Sequence, residues 1–365
     1  MPKNIVICCD GTGNKYSNRN TNVVKLHAVL DLDDTTRQVA YYHAGLGTMG
    51  SPNALTRLAS LWTKTIGLAF GYGFTRDVGD AYAFLMDTFE RKDRVFLFGF
   101  SRGAYTVRAL AGLLHMFGLV PARDYDLIPY ATEMLKRKQD PETFDEADGF
   151  KSTFSRECKP YFIGVWDTVS SVGWVWDPTH IPYTRRNPDL SIGRHAISID
   201  ERRCFFRQNL WGEPLPSQNI KQVWFAGVHS DVGGGYAESE SGLAKISLEW
   251  MLREAALAGL AVKDERIQEV LGRRGGNWVK PDAAGTIHNS LREGGWWLLE
   301  PFPHRYWDST CHPPREKIGF PFGKRRLIPL GATLHESVLR RMALHIGYNP
   351  GNLPEDRQVE PWVPW

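Results

Sequence analysis

Short apolar runs recur along the first two thirds of the chain, and segments with helical spacing separate them. The clearest runs are NIVICC (4–9), RVFLFGF (94–100), YFIGVW (161–166) and QVWFAGV (222–228). Strands that are apolar on both faces and separated by helices are typical of a parallel sheet covered on both sides. The sequence therefore predicts an α/β fold with a mainly parallel central sheet flanked by helices.

Two later segments are predicted as helices. RHAISIDERR (194–203) is expected to be a helix whose charged residues form a structural ion-pair network, and those residues are Asp200, Glu201, Arg202 and Arg203. GATLHESVLRRMALH (331–345) is expected to form one more helix near the end of the chain.

Polar residues follow the predicted strands at the points where the strands end. Ser101 follows RVFLFGF, Asp167 follows YFIGVW, and His229 follows QVWFAGV. The carboxyl ends of parallel strands meet at one edge of the sheet, where such folds carry their sites. We therefore expect a serine, an aspartate and a histidine to end three successive strands and to lie close together.

The stretch GFSRG (99–103) matches G-x-S-x-G, the strand-to-helix turn that exposes the nucleophile of α/β-hydrolases. Five residues with three fixed are a weak signal alone, but this one lies between a buried strand and a predicted helix. The structural alternative is that Ser101 caps the helix, a position that serine favours.

A serine hydroxyl needs a base to remove its proton, and an imidazole suits that role near neutral pH. His229 is the candidate base, and Asp167 is the candidate acid that fixes the histidine tautomer. The backbone N–H of Arg102 and a donor from Gly11 or Thr12 are the candidate oxyanion hole.

The acid is the least certain member of this set, because other aspartates are placed plausibly. Asp231 lies two residues after His229 and is the main alternative, and Asp10 and Asp200 are further ones. An aspartate before glycine often organises its own turn, which favours a structural role for Asp10. His229 itself has a structural alternative as a core histidine beside a glycine-rich turn.

Composition excludes several other classes. A formal net charge of +3 is too small for a nucleic-acid surface. The five cysteines are odd in number and lack CxxC spacing, so we predict neither a disulfide framework nor a metal site. The N-terminus lacks a signal-peptide core, and no apolar stretch approaches the ~20 residues of a membrane helix. A triad needs no cofactor. We expect the protein to be cytoplasmic, or exported without a signal peptide by a specialised secretion system.

The chain changes character after residue 260. We predict residues 1–260 as the catalytic core and residues 261–365 as a helical extension, rich in tryptophan and proline, that packs on it as a cap. Residues 170–193 are predicted as a lid or substrate loop, because long connections in compact domains often bind ligands. Its candidate contact residues are Trp174, Trp176, Tyr183 and Arg185. The alternative is a surface loop pinned by its aromatic side chains.

The motifs DGTGN, FLFGFSRGAYTVRALAGLL, FIGVWDTVSSVG, RHAISIDERR and QVWFAGVHSDVGGGY together resemble one bacterial and fungal α/β-hydrolase family. Its better understood members are the catalytic domains of type VI secretion phospholipase effectors of the first lipase class. The resemblance runs from about Lys3 to Leu260. It implies a triad of Ser101, an aspartate and His229, and ester substrates among which phospholipids lead.

The sequence therefore predicts a serine hydrolase that cleaves carboxylic esters of lipids, with transient contact to a membrane surface. Two alternatives stay open at this point. The same triad permits transfer of the acyl group to an acceptor other than water, and a non-catalytic binding protein could keep the fold without the activity.

Overall fold

The computed structural model describes most of the chain in separate ranges. They are residues 2–11, 19–45, 72–137, 140–169, 173–174, 177–178, 181–292, 296–298, 300–301, 304–308, 315–344 and 347–365.

Strands and helices alternate through the described ranges. The strands are β1 (Asn4–Cys9), β2 (Gln38–His43), β3 (Arg94–Phe100), β4 (Pro160–Trp166), β5 (Gly173–Trp174), β6 (Asp177–Pro178), β7 (Ile192–Ser198), β8 (Asn219–Phe225), β9 (His304–Asp308), β10 (Arg315–Gly319), β11 (Thr333–His335) and β12 (Gln358–Glu360). The helices are α1 (Asn22–Val29), α2 (Tyr72–Thr88), α3 (Arg102–Phe117), α4 (Leu127–Met134), α5 (Pro141–Phe154), α6 (His229–Gly233), α7 (Gly242–Leu257), α8 (Asp264–Val270) and α9 (Glu336–Leu344).

Eight of the described strands form one sheet in the order β12-β11-β8-β7-β4-β3-β1-β2. Every neighbouring pair in that sheet is parallel, so the predicted α/β fold with a mainly parallel sheet is confirmed. The chain adds β2 on one side of β1 and then adds β3 and the later strands on the other. The topological switch point therefore lies between β1 and β3, where open α/β sheets form their ligand crevice.

The sheet is covered on both faces, as its apolar strands require. Ile5 and Ile7 of β1 pack into one core with α2 and α3, whereas Val6 and Cys8 pack into a second core with α1 and α7. This division follows from the period-2 alternation of side chains along a strand. Two separate apolar layers hold the strand ends of the sheet in a fixed position.

The predicted helix over residues 194–203 is wrong, because residues 194–198 belong to the buried strand β7 and residues 199–203 are not helical. Two polar residues, Arg194 and His195, interrupt the apolar pattern that would indicate a buried strand. Arg194 is buried against Glu254 with 2.5 Å between Nε and Oε2, and the Nε2 of His195 accepts the N–H of Thr168 at 3.1 Å. Partners distant in sequence thus satisfy side chains that would otherwise oppose burial.

The C-terminal part contributes to the same sheet. β11 pairs with β8, and β12 pairs with β11, so residues beyond 260 extend the sheet at one edge. The expected helix over 331–345 is corrected to a short strand, β11, followed by α9. The division of the chain at residue 260 stays a prediction. Among the described helices, none is long and apolar enough to cross a bilayer.

Candidate active site

The first two candidate residues lie at the carboxyl ends of adjacent strands. Phe100, the last residue of β3, pairs in register with Trp166, the last residue of β4. Ser101 and Asp167 follow directly, and the N–H of Ser101 donates to the carbonyl of Trp166 at 3.1 Å. The strand register therefore holds the turn that carries Ser101 beside the turn that carries Asp167.

Ser101 has an unusual backbone conformation, with φ 59° and ψ −120°. A non-glycine residue with positive φ costs of order 1–3 kcal/mol and persists where its surroundings enforce it. The turn that carries Ser101 packs closely against the end of β1. A Cβ on Gly103, two residues later, would lie 2.1 Å from the carbonyl oxygen of Cys9. Glycine at 103 lets α3 begin against β1 and explains the second glycine of G-x-S-x-G.

The structural alternative for Ser101, a helix N-cap, has one testable mark. A capping serine accepts a hydrogen bond from a backbone N–H in the first turn. Ser101 occupies the N-cap position of α3, but its side chain makes no capping hydrogen bond. Its hydroxyl is therefore not engaged in holding the helix.

His229 begins α6 after β8, and its imidazole is bonded to Asp167. Nδ1 of His229 lies 2.5 Å from Oδ2 of Asp167. Since an ionised carboxylate can only accept, Nδ1 carries the proton and Nε2 carries the lone pair of the neutral ring. In the sheet, β7 lies between β4, which precedes Asp167, and β8, which precedes His229. Ser101, Asp167 and His229 therefore do not end three successive strands as predicted. Instead, the unpredicted strand β7 separates β4 from β8.

Two aromatic rings fix the position of the imidazole. The Phe100 ring centroid lies 4.6 Å from that of His229, and the Phe206 centroid lies 4.8 Å away from another direction. Phe100 directly precedes Ser101, which brings the imidazole next to the serine turn. A Cβ on Gly233 would lie 1.9 Å from the Phe100 ring. The glycine run after His229 thus allows the close packing of Phe100.

The Asp167 carboxylate is buried and surrounded by donors. Oδ1 accepts the N–H of Ser198 at 2.9 Å and a guanidinium N–H of Arg326 at 2.5 Å. Oδ2 accepts from Ser198 Oγ at 3.2 Å, from Arg326 at 3.0 Å and from His229. Burial alone would raise the pKa of Asp167, but Arg326 and His229 outweigh it and hold the pKa well below its usual range. The acid is ionised at neutral pH.

The base has the opposite balance. Burial lowers the pKa of His229 below its ordinary value, and the hydrogen bond and charge of Asp167 only partly oppose that shift. His229 is therefore neutral near pH 7, the form that a general base requires.

A second carboxylate supports the histidine from its backbone. Oε2 of Glu201 accepts the N–H of His229 at 3.2 Å and pairs with Arg203 at 2.8 Å. Burial would raise the pKa of Glu201, but Arg203 outweighs it and lowers the pKa to about 2. Arg203 also lies over the Phe206 ring at 3.5 Å. Of the charged residues 200–203, Glu201 and Arg203 thus lie beside the candidate base.

The alternative acids are bound elsewhere. Asp231 accepts from Nδ1 of His288 at 2.6 Å and from the N–H of Val228 at 3.0 Å. Asp10 accepts from Thr21 at 2.6 Å and from Tyr42 at 2.9 Å. Asp200 accepts from the N–H of Gly227, from Tyr348 and from Arg325, each at 2.8 Å. Of the aspartates considered, Asp167 is the one whose carboxylate is bonded to His229.

Of the three predicted oxyanion donors, the structure leaves the N–H of Arg102 without a helical acceptor and binds that of Gly11 elsewhere. Arg102 is the first residue of α3, so its N–H has no intrahelical acceptor and lies at the positive end of the helix. The N–H of Gly11 donates to Oδ1 of Asp10 at 2.6 Å, which engages it away from a substrate. Thr12 lies outside the described residues.

The predicted substrate loop is described only in part. Tyr183 contacts His115, with ring centroids 4.3 Å apart, and His115 lies in the last turn of α3. At ~1.5 Å per residue that position is roughly 20 Å along the helix from Ser101, so the structure does not bring Tyr183 to the serine turn. Arg185 accepts the N–H of Gly212 through its carbonyl at 2.9 Å. The side chain of Trp174 and all of Trp176 lie outside the described residues.

Sequence reasoning missed Arg326, Ser198 and Phe206. Arg326 is 159 residues from Asp167 and belongs to the segment GKRRLI, which has no feature of a known motif. Ser198 was hidden in the segment expected to be helical. Across the described ranges, no group of three or more metal-ligating side chains is arranged to hold a metal ion.

The fold and the site together define a class of protein. A parallel sheet with a serine on a strained strand-to-helix turn, and a histidine bonded to an aspartate at the same edge, is the arrangement of the α/β-hydrolase class. Within that class, the family model described as "T6SS, Phospholipase effector Tle1-like, catalytic domain" matches residues 3–254. The chain belongs to this family, which confirms the resemblance of its motifs. At the level of the family, the substrates are lipid esters.

Two proteins similar to this chain provide further comparison. The uncharacterized protein YEL023C of Saccharomyces cerevisiae is 35% identical over 228 residues, covering 59% of this chain and 33% of that protein. A crystal structure of an uncharacterized protein from Pseudomonas aeruginosa has 20% identity and a TM-score of 0.43, and the match covers 76% of this chain and 49% of that one. The chain thus spans about a third of the yeast protein and about half of the bacterial one.

Proposed function

We propose that the protein is a serine hydrolase that cleaves the carboxylic esters of phospholipids through Ser101, His229 and Asp167. The observation that carries the proposal is the 2.5 Å contact between His229 and Asp167 at the sheet edge that also carries Ser101. The strained backbone of Ser101 supports the same assignment, as does its hydroxyl, which makes no hydrogen bond that caps α3. The substrate class follows from the phospholipase family to which the chain belongs.

In the proposed reaction, Nε2 of His229 takes the proton of Ser101 as Oγ attacks the ester carbonyl. The new Oγ–C bond pushes an electron pair onto the carbonyl oxygen, and the N–H of Arg102 stabilises that oxyanion. The intermediate then collapses, the C–O bond to the alcohol breaks, and His229 protonates the leaving oxygen. Water repeats the sequence on the acyl-enzyme and releases the carboxylic acid.

Asp167 acts on this sequence without taking a proton. Its carboxylate keeps Nδ1 of His229 protonated and stabilises the imidazolium that forms in each half of the reaction. Because Asp167 is ionised and held by Arg326 and Ser198, the reaction requires no rearrangement at the acid.

Lipid esters lie in a membrane surface, and we propose that the protein contacts that surface through an exposed apolar face. The face consists of Trp297, Ile318, Phe320 and Phe322, whose exposed fractions are 58%, 69%, 51% and 62%. Phe320 and Phe322 stack with centroids 5.8 Å apart, and the carbonyl of Glu300 accepts the N–H of Phe322 at 3.3 Å. Exposed clusters of large apolar side chains mark binding surfaces.

The exposed apolar face is continuous with the candidate active site. Trp296 packs against Phe206 at 5.4 Å, and Phe206 packs against His229. Arg203 lies 5.3 Å from the Trp296 ring, and Arg202 donates to the carbonyl of Gly323, next to Phe322, at 2.6 Å. Aromatic residues beside the exposed Arg202 suit a surface of anionic phospholipids.

The decisive experiment is labelling of the purified protein with a fluorophosphonate probe, together with assays on a phospholipid panel. Wild type should be labelled and should release free fatty acid. Ser101→Ala should lose both signals. Ser230→Ala, which changes a serine beside His229, is the matched control and should keep both. Labelling that persists in Ser101→Ala would show that the nucleophile is misassigned, and an acyl ester formed with an added alcohol would indicate transfer instead of hydrolysis.

A further inference from the structure

A buried arginine from the C-terminal part of the chain binds both carboxylate oxygens of the candidate acid through its two Nη atoms. Arg326 lies beyond the matched residues 3–254, and 1% of its surface is exposed. Nη1 lies 2.5 Å from Oδ1 of Asp167, and Nη2 lies 3.0 Å from Oδ2. Two parallel hydrogen bonds fix the plane of a carboxylate as well as its position. The direction in which Asp167 presents Oδ2 to His229 therefore depends on Arg326.

The same guanidinium connects the acid to the wall beside the base. Nη1 also donates to Oγ and to the carbonyl of Ser198, at 2.8 and 3.2 Å. Nη2 also donates to the carbonyl of Phe206, whose ring packs against His229. One side chain thus holds both the acceptor of the Nδ1 proton and a ring that contacts the imidazole.

The backbone around Arg326 is anchored to the hydrolase core. The Arg326 carbonyl accepts from Asn352 at 3.0 Å, and the Leu327 carbonyl accepts from Gln208 at 3.0 Å. Arg325 pairs with Asp200 at 2.8 Å on the other side. These contacts bring the guanidinium to Asp167 in one orientation. Residues beyond 260 therefore supply part of the active site in addition to extending the sheet.

We propose that Arg326 is a positioning residue of the active site, which orients Asp167 toward His229 and compensates its buried charge. This inference rests on the proposed function. It makes a C-terminal segment, outside the part that matches the family, necessary for full turnover.

The charges around His229 determine what loss of Arg326 does to the pH profile. The groups that face His229 are Asp167 at its ring, Glu201 at its backbone, and the cations Arg203 and Arg326. Without Arg326, His229 is the main group left to compensate the negative charge of the buried Asp167 carboxylate. The protonated imidazole is then favoured, so the base is lost at a higher pH than in the wild type.

The test compares Arg326→Met, Arg326→Lys and the control Arg357→Met, which changes an exposed arginine of the same C-terminal part, in the 365-residue chain on a soluble short-chain ester. Arg326→Met should lose about 100-fold in kcat with KM within threefold, a part of the ~10⁴-fold that a triad acid can contribute. Its acidic limb of kcat/KM should move up by about one pH unit. Arg326→Lys should lose about tenfold in kcat and keep the acidic limb of kcat/KM at its wild-type pH. Lysine keeps the positive charge but cannot make the two parallel hydrogen bonds of the guanidinium. Arg357→Met should match the wild type.

The outcomes separate this inference from the proposed function. A wild type that hydrolyses no ester and is not labelled at Ser101 contradicts the proposed function. An active wild type together with a folded Arg326→Met that keeps wild-type kcat and the wild-type limb overturns this inference alone. If thermal unfolding shows that Arg326→Met is not folded, Arg326→Lys decides, and wild-type kcat in it overturns the proposal. Loss of folding in both variants would make Arg326 a structural residue and would also overturn it.

Discussion

Nδ1 of His288 donates to Oδ1 of Asp231 at 2.6 Å, so the Asp231 carboxylate is bound to a different histidine from the Asp167 carboxylate. The two aspartates are both buried, and each is bonded to an imidazole. They differ in their surroundings, because Asp167 is paired with Arg326 and lies at the edge that carries Ser101. This difference allows the role of the acid to be tested by two matched substitutions.

Asp167→Asn should reduce kcat for ester hydrolysis by about 10³ to 10⁴-fold, because an amide no longer fixes the productive tautomer of His229. Asp231→Asn is the matched control and should reduce kcat by less than about tenfold, since its carboxylate holds His288. Steady-state kinetics on one soluble ester measures both. A larger loss in Asp231→Asn would reverse the assignment of the acid.

The pH dependence of kcat/KM should reflect the burial of His229. The base works only when neutral, and burial lowers its pKa below the ordinary 6.5. A lowered pKa extends the neutral form to lower pH, so the acidic limb of the wild-type profile should have its midpoint below pH 6.5. A pH series on a soluble ester, whose own hydrolysis is subtracted, measures that midpoint. A midpoint above pH 6.5 would mean that Asp167 outweighs burial.

Gly103→Ala should destabilise the protein, because a Cβ at that position would lie 2.1 Å from the carbonyl oxygen of Cys9. Backbone must move to relieve this contact, and we expect a loss of about 2–3 kcal/mol in the free energy of unfolding. Gly149→Ala in α5 is the control, since a Cβ there meets nothing within 4 Å. It should be neutral or stabilising by up to ~1 kcal/mol. Urea unfolding measures both, and equal effects would contradict the close approach of α3 to β1.

Binding to anionic phospholipid vesicles should depend on the exposed apolar face. The double substitution Phe320→Asp with Phe322→Asp should remove most co-sedimentation, because it replaces two stacked exposed rings by charges that anionic lipids repel. Hydrolysis of a soluble ester should stay within about twofold, since neither residue contacts the triad. Unchanged sedimentation would argue that another surface, such as residues 170–193, meets the lipid.

Leu257→Asp is the matched control for that experiment. Leu257 is 77% exposed at the end of α7, and the nearby carbonyl of Gly259 accepts from Asn4 at the start of β1. It therefore lies at the amino edge of the sheet, opposite the candidate active site. The variant should sediment with vesicles as the wild type does.

The strands that the sequence predicts well are those whose burial needs no distant partner. After their first residues, β1, β3 and β4 consist of apolar or aromatic residues and glycine, and the predicted bounds of each lie within one residue of the observed ones. β7 was not, because the burial of Arg194 depends on Glu254, which lies 60 residues away. A single sequence carries no information about such pairs, so local propensity was the only guide there.

The candidate site divides in the same way. Ser101 and His229 follow recognisable strands and lie in glycine-rich contexts, so their positions could be predicted from order alone. The choice among aspartates depended on hydrogen bonds that cross the sheet, and Arg326 depended on the return of the C-terminal chain to the core. Contacts of high sequence separation are set by packing, which local patterns do not encode.

A buried pair of lysines predicts how stability depends on pH. Nζ of Lys25 and Nζ of Lys245 lie 3.0 and 2.8 Å from the two oxygens of Glu238, so one carboxylate faces two cations. Burial lowers the pKa of Lys245 to about 7, with Lys25 adding to the shift and Glu238 opposing it. The unfolded chain, where lysine has its ordinary pKa, binds more protons above pH 7 than the folded chain. The free energy of unfolding should therefore rise by about 2 kcal/mol from pH 7 to pH 9 through this group.

Urea unfolding of the wild type and Lys245→Met at both pH values isolates the effect, which should be missing in the variant and present in the exposed control Lys92→Met. An equal rise in Lys245→Met would assign the pH dependence to other groups.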